Sequence, residues 1–128
     1  MRHVSGSEIV FHFRSTAAAK AALAKVERGY AGCRKRLNAA HLTDVVTGRR
    51  ITARVDRTAT VRGGVSYLTT LREGTRLADP ANLPSDAQEL FVQRGNRLVL
   101  VRVDGFSRAV DSTKGAQHTL RTLANRLG

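Results

Sequence analysis

Few residues in this chain have side chains able to do chemistry, and none of them sits in a recognised catalytic pattern. Cys33 is the only cysteine, which excludes an intramolecular disulfide and any multi-cysteine metal site. Its neighbours Arg34, Lys35 and Arg36 would favour a thiolate, but no His stands near it in sequence. Packing on a helix face is the plainer role. His3, His12, His41 and His118 are scattered, without the spacing of H-E-x-x-H, and no G-x-S-x-G, Walker A or G-x-G-x-x-G run occurs. Neither a metal nor a cofactor is expected. Acid–base work would need a carboxylate or imidazole inside an apolar pocket, where burial shifts its pKa. Asp56, Glu89 and His12 are the candidates. On an open strand surface, Glu89 beside Arg102 would be only a cross-strand ion pair, contributing well under ~1 kcal/mol.

The elements that must position these groups come from one chain of 128 residues, read as a single domain over 1–128. Hydrophobic residues make up 41%, which excludes a disordered basic tail. No apolar run is long enough for a transmembrane helix, and no signal-peptide pattern follows Met1-Arg2-His3. The chain as written is expected in the cytoplasm, or outside it if a leader has been removed. The net charge is +12, from 22 Lys+Arg against 10 Asp+Glu. Such a charge attracts polyanions, and Arg28, Arg34, Lys35, Arg36, Arg49, Arg50, Arg54, Arg57 and Arg62 would carry that contact. However, 18 of the basic residues are Arg in an Ala-, Val- and Gly-rich chain, a composition that GC-rich coding produces. Aromatics are 5% with no Trp, so the stacking platform of a single-strand reader is missing.

Alternation over Glu8–Arg14 predicts a half-buried strand with Ile9, Phe11 and Phe13 on one face. Ser15 or Thr16 then caps a helix over 17–37, with Ala19, Leu23, Val26, Tyr30, Cys33 and Leu37 forming its apolar stripe. Gly29 and Gly32 weaken its second half. Residues 38–50 read as a loop with a short strand at Asp44-Val45-Val46. Ile51–Arg62 and Val65–Glu73 form a hairpin about Gly63-Gly64, and Glu89–Gln93 and Leu98–Val103 form another about Gly95-Asn96. Asp79-Pro80 to Pro84-Ser85 is a loop. Lys114–Leu127 closes as a helix, capped by Ser112 or Thr113. The expectation is an α+β fold of order β-α-β-β-β-β-α, with an antiparallel-rich sheet of about five strands and two helices on one face.

Hairpin register sharpens the site. A turn at Gly63-Gly64 places Asp56 on the same face as Tyr67 and Leu71. A turn at Gly95-Asn96 pairs Leu90 with Val101 and Val92 with Val99. Its other face pairs Phe91 with Leu100, Gln93 with Leu98, and Glu89 with Arg102. Both faces of this ribbon are apolar, and helices on one side cover only one of them. The second face should therefore meet a ligand, a second subunit or the 74–88 loop. Asp56, Tyr67, Leu71, Glu89, Phe91, Leu98, Leu100 and Arg102 are the expected ligand-binding residues.

The segment Val10-Phe11-His12-Phe13-Arg14-Ser15-Thr16-Ala17-Ala18-Ala19-Lys20 resembles the strand-to-helix start of PknH-like sensor domains. These are extracytoplasmic modules of actinobacterial Ser/Thr protein kinases and related lipoproteins. Cys33 followed by Arg34-Lys35-Arg36 is similar to the family's cysteine near the helix end. Leu90–Val101, with Arg94-Gly95-Asn96 at its turn, is similar to the family's valine-rich hairpin. Family members carry a further N-terminal portion with paired cysteines, so the chain looks like the C-terminal half of such a module. The resemblance implies binding of a small ligand in a cleft, and no catalytic motif transfers.

Three functions follow in order. The first is sensor-like binding of a small, partly apolar ligand, or of a second copy as a homodimer, on the non-helical sheet face. The second is a small cofactor-free cyclase or isomerase using the same cleft, where holding a reactive conformer needs little side-chain chemistry. The third is polyanion or nucleic-acid binding.

Overall fold

Glycine-bearing turns set the registers from which the sheet is built. The computed structural model describes residues 5–78, 86–104 and 113–127. Its elements are β1 (Ser5–His12), α1 (Thr16–Ala31), α2 (Cys33–Ala39), β2 (Thr52–Val61), β3 (Gly64–Glu73), β4 (Arg76–Leu77), β5 (Asp86–Arg94), β6 (Arg97–Asp104) and α3 (Thr113–Leu127). The fold is α+β. The strands form one antiparallel sheet of order β1-β6-β5-β3-β2, with β4 paired to the end of β3. The expected loop over Asp79–Ser85 and the Ser112 cap lie outside the described residues, as does the side chain of Thr113.

The β5–β6 hairpin follows the register its turn predicts. Gly95 has φ +54°, and Val92 faces Val99, Leu90 faces Val101, Phe91 faces Leu100 and Glu89 faces Arg102. The β2–β3 hairpin differs. Its turn is Arg62-Gly63, with Gly63 at φ +74° and Val61 opposite Gly64. Gly64 is needed for a different reason: a Cβ there would lie 2.9 Å from Val61 Cγ2 and 3.3 Å from the Phe91 carbonyl. It permits close approach within the sheet instead of making the turn. A bulge at Thr58 then shifts the register between Arg57 and Ala59. The Thr58 and Ser66 hydroxyls bond to each other beside it. Beyond the bulge Arg57 faces Tyr67, Val55 faces Thr69 and Ala53 faces Leu71, while Asp56 faces Leu68. Asp56 therefore lies on the opposite face from Tyr67 and Leu71, contrary to expectation.

The helices lie on both faces, not one. α1 packs Leu23 against Val65, Tyr67, Phe91 and Leu98, with Val26 and Tyr30 beside them. α3 packs Ala116, Leu120 and Ala124 against Ala59, Leu90 and Val92. Phe91 and its neighbours Leu90 and Val92 point to opposite sides of β5, so each helix takes one apolar face of the central ribbon. The bare second face expected from the sequence is absent among the described residues.

Ser15 caps α1, its Oγ accepting the Ala18 N–H at 3.0 Å. The predicted single helix breaks at Gly32, the residue between α1 and α2. The Arg36 guanidinium folds back there, 2.8 Å from where a Gly32 Cβ would sit, and donates to the Gly29 carbonyl at 2.6 Å. α2 brings Leu37 onto Ile51, Ala53 and Leu71. Asn38 binds both backbone groups of Ala53, accepting its N–H at 2.8 Å and donating to its carbonyl at 3.3 Å. The expected strand at Asp44–Val46 is instead a turn. The buried Asp44 carboxylate accepts the N–H groups of Val46 and Thr47 at 2.8 and 3.1 Å, and the Arg76 guanidinium at 3.0 Å. The end of α3 is tied by Arg94 to the Ala124 carbonyl and by Arg97 to the Leu127 carbonyl, where cations complement the helix dipole.

Leu120 is fully buried against the sheet. Leu120→Ala should cost about 3 kcal/mol through lost burial and the cavity left behind. The neighbouring exposed Arg121→Ala should stay within about 0.5 kcal/mol. Urea denaturation of both variants measures the difference, and equal midpoints would place α3 off the sheet.

Candidate functional site

The break at Gly32 opens a cleft between the helices and the sheet. Tyr30 from α1 and Cys33 and Leu37 from α2 form its roof. Thr69 and Leu71 of β3, Ala87 and Glu89 of β5 and Arg102 of β6 form its floor, and the space is about 170 Å³. These floor residues share a face because each pair across the sheet does so: Thr69 with Ala87, and Glu89 with Arg102.

A second cleft of about 250 Å³ lies on the β2 side of Tyr30, between Glu27, Ala31, Arg34, Val55, Arg57 and Tyr67. Tyr30 is the wall common to both. Its ring stacks on Tyr67 at 3.9 Å with an interplanar angle of 12°, and both rings meet Phe91 edge-on. Tyr67 is 4% exposed, and its hydroxyl has no hydrogen-bond partner at bonding geometry among the described residues. The Arg57 guanidinium stands nearby, its carbon 6.0 Å from the Tyr67 ring centroid. A larger groove of about 670 Å³ runs between α1 and the two hairpin turns, lined by Lys20, Glu27, Arg62 and Arg94. Three of these four side chains are exposed, and Gln93, the buried polar side chain in its lining, donates to the Gly95 carbonyl at 2.7 Å, so its size does not make it the site.

The polar part of the smaller cleft is a short chain of charges. Arg102 lies 3.8 Å from Glu89 and 2.9 Å from Asp104. Burial draws the Arg102 pKa down, but the bond to Asp104 and the charges of Asp104 and Glu89 outweigh it and leave it raised. Tyr30 is held well above the usual tyrosine value, first by burial and then by its hydrogen bond to Glu89. Tyr67 is also raised, chiefly by burial, with Arg57 opposing. At neutral pH both phenols are donors. Two carboxylates against one guanidinium leave the Glu89 end acidic. Arg34 and Arg57 against Glu27 leave the other cleft basic.

No family model, curated protein or solved structure matches this chain. Geometry alone therefore defines the site. Of the expected residues, Leu71, Glu89 and Arg102 line the smaller cleft. Tyr67 lines the second, and Phe91 supports the tyrosine stack. Leu98 is core beneath α1 and Leu100 packs beside that core, so neither lines either cleft. Asp56 is on the far face, ion-paired with Arg54 at 2.7 Å. His12 is exposed at the end of β1, opposite Arg97. Sequence reasoning missed Tyr30, Cys33, Leu37 and Arg57 as site residues. The first three lie in the stripe that reads as helix core, and the available signal was Gly32 interrupting that stripe. Arg57 was misplaced by the bulge. The three described groups of His, Cys, Asp or Glu that a metal would require are not found together among the described residues.

Tyr30 and Tyr67 are the only tyrosines, and Trp is absent. An ultraviolet titration of the phenols therefore reads this stack alone. In unfolded chains they ionise near pH 10. Folding raises both, so their contribution to stability is complete below about pH 10 and declines as pH rises above it. The native tyrosinate transition should lie above that of the same titration in urea, where two groups should ionise near pH 10. A native step at that pH would contradict the buried stack.

Proposed function

We propose that this chain is a small-molecule-binding domain of the sensor kind, with its ligand in the cleft between α1–α2 and the sheet. The observation that carries the reading is the lining of that cleft. Apolar walls from Leu37, Leu71 and Ala87 surround a few convergent polar groups: Glu89, Arg102 and the Tyr30 hydroxyl. The space of about 170 Å³ is close to the cavity of roughly 150 Å³ that accommodates benzene in an engineered protein interior. It suits a single small ring. Glu89 and Asp104 outnumber Arg102, so a donor or cationic group on that ring is favoured over an acid. The likeness of the sequence to sensor modules with a ligand cleft agrees in class. A homodimer closing an open sheet face is no longer part of the proposal, since helices occupy both faces.

Cys33 is the sole thiol and lies in the cleft roof, so its accessibility reports occupancy. Benzylamine should slow modification of Cys33 by a chromogenic disulfide reagent, and benzoate should not. Glu89→Gln should abolish the protection without lowering the melting temperature appreciably. Equal modification rates with and without benzylamine, together with unchanged melting across a panel of ring amines, would overturn the reading.

A further inference from the structure

The two edges of the sheet are treated differently. β2, at one edge, is guarded in three ways. Asn38 occupies both outward backbone groups of Ala53, a bulge interrupts the strand at Thr58, and Arg54 and Arg57 place charge along it. These are devices that prevent one sheet from pairing with another. β1, at the opposite edge, has no bulge and no side chain bonded to its backbone among the described residues, and its one carboxylate or guanidinium is Glu8. It pairs with β6 without interruption from Ser5 to His12, contains no proline, and receives no strand on its outer side among the described residues. It also presents three consecutive large apolar residues: Ile9 is 47% exposed, Val10 42% and Phe11 43%. Because neighbouring residues point to opposite faces, this exposure is a property of the edge and not of one face.

We infer that β1 is a self-association surface, and that two copies of this chain pair β1 to β1 antiparallel to give one continuous sheet. The occupant is identified by the strand's own complementarity. With Val10 opposite Val10, Ile9 faces Phe11 and Glu8 faces His12, each pair occurring twice about the two-fold axis. Ile9 and Phe11 of both copies then extend the row begun by Leu98 and Leu100, because β1 already pairs Phe11 with Leu98 and Ile9 with Leu100. Val10 of both copies extends the row of Val99 on the other face. Slipping each strand towards its N-terminus places Glu8 opposite Val10, a charge against an apolar partner. Slipping the other way would oppose Glu8 to Arg14, but β1 ends at His12, where Phe13 N–H turns to the Asn96 carbonyl at 2.8 Å. The central register is the one that satisfies both the apolar and the polar positions. This inference is independent of the ligand cleft.

Sedimentation equilibrium of the full chain tests it. The wild type should show a concentration-dependent monomer–dimer equilibrium. Val10→Lys, which sets two ammonium groups face to face at the axis, should be monomeric where the wild type is dimeric, with a cooperative melt retained. Glu8→Lys is the second variant, and it should weaken the dimer without touching the apolar residues. Val10→Cys in a Cys33→Ser background reads the register. Residues directly opposite in an antiparallel pair lie about 4.5–5.5 Å apart at Cα, within disulfide reach, so oxidised glutathione should link two chains. Ser7→Cys in the same background, placed opposite Phe13 beyond the strand end, should not link. A wild type that stays monomeric at the highest attainable concentration would overturn the inference. So would a Val10→Lys chain that dimerises as the wild type does, or equal cross-linking from Val10→Cys and Ser7→Cys.

Discussion

The β5–β6 hairpin is apolar on both sides, and most of the architecture answers that single constraint. Leu90 and Val92 on one side, and Phe91 and Leu98 on the other, cannot all be buried by one layer of helix. Burial of each large side chain contributes roughly 1.5–3 kcal/mol, so leaving either side wet would remove a large share of the net stability of a domain this size. α1 takes one side and α3 the other. β6 and β3 flank β5, and β1 and β2 complete the sheet outward. The cleft exists because α1 does not continue straight along its side but turns into α2 at Gly32.

Arginine has an unusual structural share in holding this arrangement. Arg36 closes the α1–α2 junction, Arg76 gathers Asp44 and Glu73, and Arg94 and Arg97 hold the end of α3. Arg50 and Arg72 donate to the carbonyls of Asn38 and Thr75. A planar guanidinium can serve a backbone carbonyl and a carboxylate together, which a lysine ammonium does less well. The charge that first suggests a polyanion partner is thus spent in part on loop and helix ends, although it still contributes to the field around the protein.

The sequence makes some of this legible and hides the rest for physical reasons. The β5–β6 register is readable because Gly95-Asn96 leaves only one way to make a two-residue turn between apolar strands. The β2–β3 register is not, because Gly63 and Gly64 both fit a turn, and only the crowding of Gly64 by Val61 and Phe91 decides between them. The bulge at Thr58 leaves no trace in a strand that alternates Thr with Ala and Arg, so Asp56 and Arg57 exchange faces. Ser15 as a cap and the Ala19–Leu37 stripe are local signals and are readable. Which face of a doubly apolar ribbon each helix chooses is not local, and nothing in α1 or α3 alone encodes it. Glu89, Arg102 and Leu71 were recoverable as site residues because they depend on the legible hairpin or on strand parity. Tyr30 and Cys33 were not, since a residue lining a cleft under a helix has the same periodicity as one buried in the core.

The order in which the covering helices occur along the chain has a consequence for biosynthesis. α1 precedes the ribbon, so its side can be covered as soon as β5 and β6 are made. α3 follows β6, so Ala59, Leu90 and Val92 must wait, unsheltered, until α3 has left the ribosome. During that interval the nascent chain exposes one apolar sheet face beside the unguarded β1 edge, a combination that invites contact between nascent chains. Capture by a chaperone, or rapid release of α3, would shorten that exposure.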